Sequence, residues 1–406
     1  MNHLKVGILH APNTLNYGSM ILCENAIHYL SKFIPNLSFI VLSNFVEETQ
    51  TRLRNATGYD NIEVRPHIIP SQNKIIPNRL SFLLDKSVFR HRNLIKLLND
   101  CNVIIVLGGD DISEYYGVLK LLDILFRLRI LKKAGKKIYL LGQSIGPFFS
   151  WRKPLAKNVL SKMNKIYHRG LKSYDYITNG LKVKNNSFFS SDLAFLDLAR
   201  QNDTYNIEKY NIIANRYITF VPSGQWWQYN DNYEKYFEGL TAVTMYLVKK
   251  CEEIERKLVL LPHVLRWTDD SKIVKDIMSK LGHNGIIGID DVLLPFQVRA
   301  ILGSSYFVVT QRMHGAISSL QKGVPALSLS YSVKFSEVIG NYLGFPELVV
   351  DINRSNFKED IRKVFSATDL VLQDIAKLKE RIEKAVSKAK NDAMVQIEDL
   401  AKDMLN

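Results

Sequence analysis

Short apolar runs alternate with longer amphipathic stretches along almost the whole chain. Runs at 5–9, 37–42, 103–107 and 137–142 read as buried strands, separated by helical patterns near 20–33, 87–99, 117–134 and 153–166. A second set follows, with strand-like runs at 217–221, 257–261, 285–289, 306–310 and 326–330. Its helical patterns lie near 232–254, 269–281, 295–302 and 315–322. Apolar strands alternating with helices predict parallel βαβ sheets covered on both faces. The polar stretch 198–216 is the best linker between the two sets. The pattern therefore predicts an α/β protein of two Rossmann-like, doubly wound domains facing a cleft, at 1–205 and 206–366. Leu370, Ile375, Leu378, Ile382 and Val386 recur at three-to-five-residue steps, so 367–406 is expected as an amphipathic helix packing across the domains.

Length agrees with this division, since 406 residues exceed what one core usually organises. The chain is 46% hydrophobic and 23% charged, as in ordinary globular proteins. Cys23, Cys101 and Cys251 are far apart, which excludes a disulfide framework or zinc ribbon and suits a reducing compartment. The first residues run straight into a strand pattern with no signal-peptide core, and no apolar span is long enough to cross a bilayer. A cytoplasmic protein is expected.

A formal charge of +14 changes the picture by calling for an acidic partner. Basic residues concentrate at 79–96 and in the helical pattern 118–137. The plainer reading of the latter is a helix packed on a sheet with a solvated cationic edge. The other is adherence to an anionic membrane surface, on the inner face of the membrane. No RNP, KH or zinc-finger signature is present, so no nucleic-acid partner is expected.

Ligands of open α/β sheets lie beyond the carboxyl ends of the strands, so the strand-exit loops are the places to look for chemistry. The first is "HAPNTLNYGSM", with Asn16 and Gly18; then come "GGDDIS", with Gly108, Gly109 and Asp110, and "GQSIGPF", with Gln143 and Ser144. Each alone is a turn or helix-cap sequence, but three in one domain suggest a wall that a ligand approaches closely. None fits a dinucleotide or Walker A loop. The acidic pairs Asp110-Asp111, Asp269-Asp270 and Asp290-Asp291 read as caps or turns, and no metal is expected. In "QRMHG", Arg312 and His314 follow a strand directly and Gly315 opens the next helix. A helix N-terminus with an arginine and an imidazole suits phosphate or carboxylate and a proton transfer. The plain alternative is an arginine paired with an acidic neighbour. Trp226-Trp227 could stack on a sugar ring or pack in the core.

In order along the chain, Asn-Tyr-Gly at 16–18, "GGD", "GQSIGP", Arg169 with Ser173, "SDLAF", "LPH" with His263, "RMHG" and "YSVK" with Lys334 resemble the polysaccharide pyruvyl transferase family. The resemblance covers roughly 5–340. It implies a fold similar to GT-B glycosyltransferases and transfer of the carboxyvinyl group of phosphoenolpyruvate to a sugar, usually as a cyclic pyruvate ketal. It further implies that Arg312 and His314 hold the donor and that the first-domain loops hold the acceptor sugar; from the residues themselves, Gly315 would add its helix N-terminus to the donor site, Trp226 could stack on the acceptor, and a lipid-linked glycan acceptor would explain the basic helices. His314 would be the acid at C3 and His263 a base for the acceptor hydroxyl. Phosphoenolpyruvate is then a co-substrate, with no cofactor.

Three segments depart from the family pattern: Ser19 stands where an Asp is usual, Arg169 lacks the acid that normally follows it, and Pro222, Ser223 and Gln225 stand where a further arginine is common. Arg169, Arg266 or Lys334 would have to supply the second donor cation. Two other functions fit the same fold: a GT-B glycosyltransferase using a nucleotide sugar, and a catalytically silent glycan-binding protein. Against the first, Glu337 and Glu347 are ten apart and form no Glu-x7-Glu pair. Oligomeric state stays open, a homo-oligomer included.

Overall fold

The computed structural model describes residues 4–10, 13–66, 93–283 and 285–405. Most of the basic stretch 79–96 and the first part of the helical pattern 87–99 lie outside the described residues, while 93–97 are helical. Among the described residues, thirteen strands form two parallel sheets. The first contains β1 (Lys5–Leu9), β2 (Ser38–Leu42), β3 (Ile62–Arg65), β4 (Val103–Val106), β5 (Lys137–Gln143), β6 (Lys165–His168) and β7 (Ser187–Phe189). Their order is β3-β2-β1-β4-β5-β6-β7. The second contains β8 (Tyr217–Val221), β9 (Lys257–Leu260), β10 (Ile286–Gly288), β11 (Phe307–Thr310), β12 (Ala326–Ser330) and β13 (Val349–Asp351). Its order is β10-β9-β8-β11-β12-β13. The strand order reverses between β1 and β4 and between β8 and β11, and these are the switch points where open sheets bind ligands.

The apolar runs become the central strands: every residue of β4, β8, β11 and β12 is buried. The short strands β3, β6, β7 and β13 were not expected. The helical pattern at 153–166 is really the helix Arg152–Leu160 followed by β6, because Ile166 and Tyr167 pair between β5 and β7. The basic helix Val118–Lys133 buries Leu121, Ile124, Leu125, Leu128 and Leu131 in the core of its sheet. Its apolar face is thus occupied, which is the plainer of the two readings of that pattern. Among the described residues no helix is long and apolar enough to cross a membrane.

The chain divides into two compact units, one comprising Met1–Thr14, Leu22–Leu193 and Asp392–Asn406, the other Leu15–Ile21 and Ala194–Asn391. Three boundaries differ from the expected 205/206 and 366/367. The second unit begins at Ala194, because Arg299 donates to the carbonyls of Ala194 at 2.7 Å and Leu196 at 2.9 Å, and Gln321 donates to Asp197. The long helix Ile375–Leu405 is shared rather than separate. Its last part joins the first unit, where the Gln396 amide accepts from Gly142 N–H and donates to Ser190 Oγ. Asp399 and Asp403 of the same part accept from the hydroxyls of Tyr167 and Tyr139. The third exception is Leu15–Ile21, which leaves the first unit to join the second.

Candidate active site

In the second unit, three strand exits converge on one carboxylate. Asp270, fully buried, accepts from Gly224 N–H after β8 at 2.7 Å and from the N–H groups of His263 and Val264 after β9 at 3.2 and 2.8 Å. From the exit of β11 it receives Arg312, through Nε at 3.1 Å and Nη2. Arg312 also donates from Nη1 to Gln225 Oε1 at 2.9 Å and from Nη2 to the carbonyl and hydroxyl of Thr268. Four of its five N–H groups are therefore engaged within the protein. Burial opposes its charge, but Asp270 outweighs that and holds the arginine pKa above its ordinary value. Sequence reasoning offered Arg312 as an open anion clamp; in the structure it is the buried partner of Asp270. Gln225, in the segment where a further arginine was looked for, presents an acceptor to it. Gln311 adds a second tie, its Oε1 accepting from Ser223 N–H at 2.8 Å and from Tyr236 OH at 2.9 Å.

The Asn-Tyr-Gly loop belongs to this cluster and not to the first-unit wall where Asn16 and Gly18 were expected. Asn16 forms an antiparallel bridge with Val264, Tyr17 N–H donates to the His263 carbonyl at 3.2 Å, and Leu265 N–H donates to the Leu15 carbonyl at 2.8 Å. Backbone pairing with the β9 exit thus pulls the loop out of the unit in which β1 lies. Asn16 Oδ1 accepts from Ser19 N–H and caps the helix Tyr17–Phe33. Gly18 is dictated by close approach, since a Cβ there would lie 2.4 Å from His314 Nδ1.

His263 packs edge-on against the Tyr17 ring with centroids 5.6 Å apart, and its side chain is shut away from solvent. Burial drives its pKa well below the ordinary histidine value, with the nearby His314 and Arg312 adding to the effect. The ring is closed off from solvent, so as packed it does not itself meet an acceptor hydroxyl, the base role expected for it. His314 and Gly315 lie in the first turn of the helix Met313–Gln321, which begins without a side-chain cap. Lys334, after the neighbouring β12, donates to Tyr331 OH at 2.7 Å. Trp226 is half-buried, edge-on to Trp227 and to Tyr233 at 6.0 Å.

In the first unit the exits of β4 and β5 are pressed together: a Cβ on Gly108 would meet the Gly142 carbonyl oxygen at 2.4 Å. Gln143 is buried and its amide donates to the carbonyls of Val106 and Leu107, so it holds the sheet end rather than facing a ligand. Ser144 Oγ accepts from Arg169 Nε, and Arg169 is bound in a buried pair with Asp192 at 2.6 Å. Arg169 lies in this unit, on the other compact body from Arg312, and its charge is already matched. Gly109 stands beside Asp111, while Asp110 accepts from Tyr116 OH at 2.8 Å.

Sequence reasoning missed His10, at the exit of β1. Its backbone is left-handed, φ 68°, a strained conformation for a non-glycine residue. Its Nδ1 lies 4.0 Å from Asp111 Oδ2 across the β1–β4 switch point, and Asp111 also pairs with Lys120. Burial lowers the His10 pKa, Asp111 works against that, and Arg127 and Lys120 add to the lowering. A histidine directly after a β1-like run was the available signal. Asp270 left less: "TDD" before a helix reads as a cap, and its partner lies 42 residues on.

The model of the family "Polysaccharide pyruvyl transferase" matches residues 16–333. The chain belongs to that family. The match opens at Asn16 and ends at Val333, so it spans the Asn-Tyr-Gly loop, His263 and the "RMHG" turn. As a polysaccharide pyruvyl transferase family member, the chain is similar to the amylovoran biosynthesis protein AmsJ of Erwinia amylovora, 22% identical over 78% of this chain and 73% of that protein. Among solved structures it is similar to an S. aureus MnaA–UDP co-structure, with TM-score 0.62 and 14% identity over 99% of this chain and 96% of that one. A glycosyltransferase from Rickettsia africae gives TM-score 0.56 and 13% identity over the full length of both chains. These likenesses establish the GT-B fold of this family member.

Proposed function

We propose that the protein transfers the pyruvyl group of phosphoenolpyruvate to a sugar of a cell-surface polysaccharide or its precursor, forming a ketal and releasing phosphate. The family match over 16–333, joined to an uncapped helix N-terminus bearing His314 at a sheet's switch point, carries this reading. The phosphate and carboxylate of the donor meet the N–H groups of that turn and Lys334. His314 protonates C3 of the donor, turning CH2 into CH3 and leaving C2 electrophilic. One acceptor hydroxyl bonds to C2 and the C2–O bond to phosphate breaks. The second hydroxyl then closes the ketal. Of the two hydroxyl protons released, one replaces that given by His314 and the other leaves with phosphate. Arg312 and Asp270 act here as positioning residues that hold the exits of β8, β9 and β11 in register.

The β1–β4 switch point of the first unit receives the acceptor. His10 and Asp111 stand at that switch point, 4.0 Å apart. A nucleotide-sugar transferase is the competing reading, because solved relatives by fold include a protein described with UDP. Incubating the protein with phosphoenolpyruvate and a panel of p-nitrophenyl hexopyranosides distinguishes them. Phosphate release together with a new methyl singlet in the proton spectrum supports pyruvyl transfer. Thermal stabilisation by UDP, with phosphoenolpyruvate left intact across the panel, overturns it. Glycan binding without turnover, unchanged in Arg312→Ala, would instead mark a silent binding protein.

A further inference from the structure

Several large apolar side chains of the first unit stand out into solvent on two loops and on the first turn of the helix Val118–Lys133. Tyr115 is 58% exposed and Leu119 81% on the segment that follows β4; Phe149 is 54% and Trp151 58% exposed on the segment that follows β5. Scattered exposed leucines are ordinary, but four such side chains on the exits of adjacent strands are not. The two segments are bound into one platform. Glu114 N–H donates to the Pro147 carbonyl, its Oε1 accepts from Phe149 N–H at 2.6 Å and pairs with Arg152 Nε at 2.9 Å. Gly146 N–H donates to the Ile112 carbonyl at 2.9 Å. The platform is therefore pre-formed rather than loose.

Cations surround it. Arg152 lies 5.6 Å from the Trp151 ring centroid, and Lys153 and Lys157 are exposed on the helix that follows. Lys120 is exposed beside Leu119, and the next strand exit, after β6, adds exposed Leu171 and Lys172. Glu114 pairs with Arg152, Asp111 with Lys120 and Asp123 with Arg127, so the excess positive charge beside the platform is that of Lys153, Lys157 and Lys172.

Protruding Trp, Phe, Tyr and Leu flanked by Lys and Arg match the depth profile of a bilayer interface, apolar tips below the headgroups and cations among them. A protein-binding patch would instead be depleted of charge at its centre. We infer that this platform docks the protein on an anionic lipid bilayer. The contact does not involve the amphipathic face of the helix Val118–Lys133, which is buried in the core. It stands independently of the transfer reaction. Where that reaction holds, the platform brings the exits of β4 and β5 to the height of a lipid-linked saccharide.

Flotation of the full chain with vesicles tests this. The protein is expected to float with phosphatidylcholine–phosphatidylglycerol vesicles, to stay behind with phosphatidylcholine alone, and to be released by high salt. Phe149→Ala with Trp151→Ala should lower the bound fraction about tenfold, and Lys153→Glu with Lys157→Glu similarly, each with an unchanged melting curve. Failure of the wild type to float overturns the inference. So does floating of the Phe149/Trp151 variant as wild type, which would assign binding to another basic surface. Loss of self-association in that variant, with no vesicle binding by either protein, overturns it in favour of a protein contact.

Discussion

The two switch points handle charge in opposite ways. At the exits of β8, β9 and β11, Asp270 and Arg312 are buried together and consume one another's hydrogen bonds, with three backbone N–H groups completing the carboxylate. At the exits of β1 and β4, His10 and Asp111 remain partly exposed and 4.0 Å apart, too far for a hydrogen bond. The first arrangement is a scaffold that presents the next helix turn; the second leaves titratable groups in reach of a solute. A charged residue at a strand end is therefore not by itself a ligand contact, and its partners decide what it does.

The largest effect should come from breaking the scaffold. Asp270→Ala leaves a buried guanidinium uncompensated and should cost about 3–5 kcal/mol, read as a lower urea midpoint with loss of all activity. Asp111→Ala at the open site should cost under about 1 kcal/mol in the same titration. Equal losses would erase the distinction between the two sites.

Removing a proton-transfer group comes next. His314→Gln should lower kcat about 10²–10⁴-fold while the melting curve stays in place. Gly18→Ala forces a methyl against His314 and should destabilise by about 1–3 kcal/mol, with kcat falling more than the KM for phosphoenolpyruvate rises.

A further effect, on acid stability, applies to both units. Burial pushes His168 down to about 3, and drives His263 well below its usual value, both staying neutral in the fold. The unfolded chain takes up these protons first, near pH 6.5, so their contribution is complete above that value and declines as pH falls toward the folded pKa. At pH 5 His168 should remove about 2 kcal/mol, and His263 acts in the same direction. Urea titrations at pH 7.5 and pH 5 measure the loss, and His168→Asn should reduce the difference for the first unit.

Much of this was legible in the chain. The central strands were visible because burial on both faces demands unbroken apolar runs, as in "VIIV" and "FVVT". The four missed strands are short, and each carries a charged or exposed position, as in "IEVR" and "KIYH". They are held by their neighbours in the sheet rather than by their own pattern. At the site, Arg312 and His314 were recognisable from strand-turn-helix spacing. The direction in which Arg312 points was not, because Asp270 lies on another loop and in sequence reads as part of a helix cap.

Residue order alone determined the α/β alternation, the family and the turn that carries His314, since each depends on short-range pattern. Tertiary structure decided which groups share a site. Backbone pairing with the β9 exit carried Asn16 and Gly18 into the second unit, a buried carboxylate engaged the arginine, and the β1–β4 switch point brought His10 beside Asp111. Those contacts join residues tens to hundreds of positions apart, where the free energy of burying a charge or pairing a backbone, rather than local propensity, selects the partner.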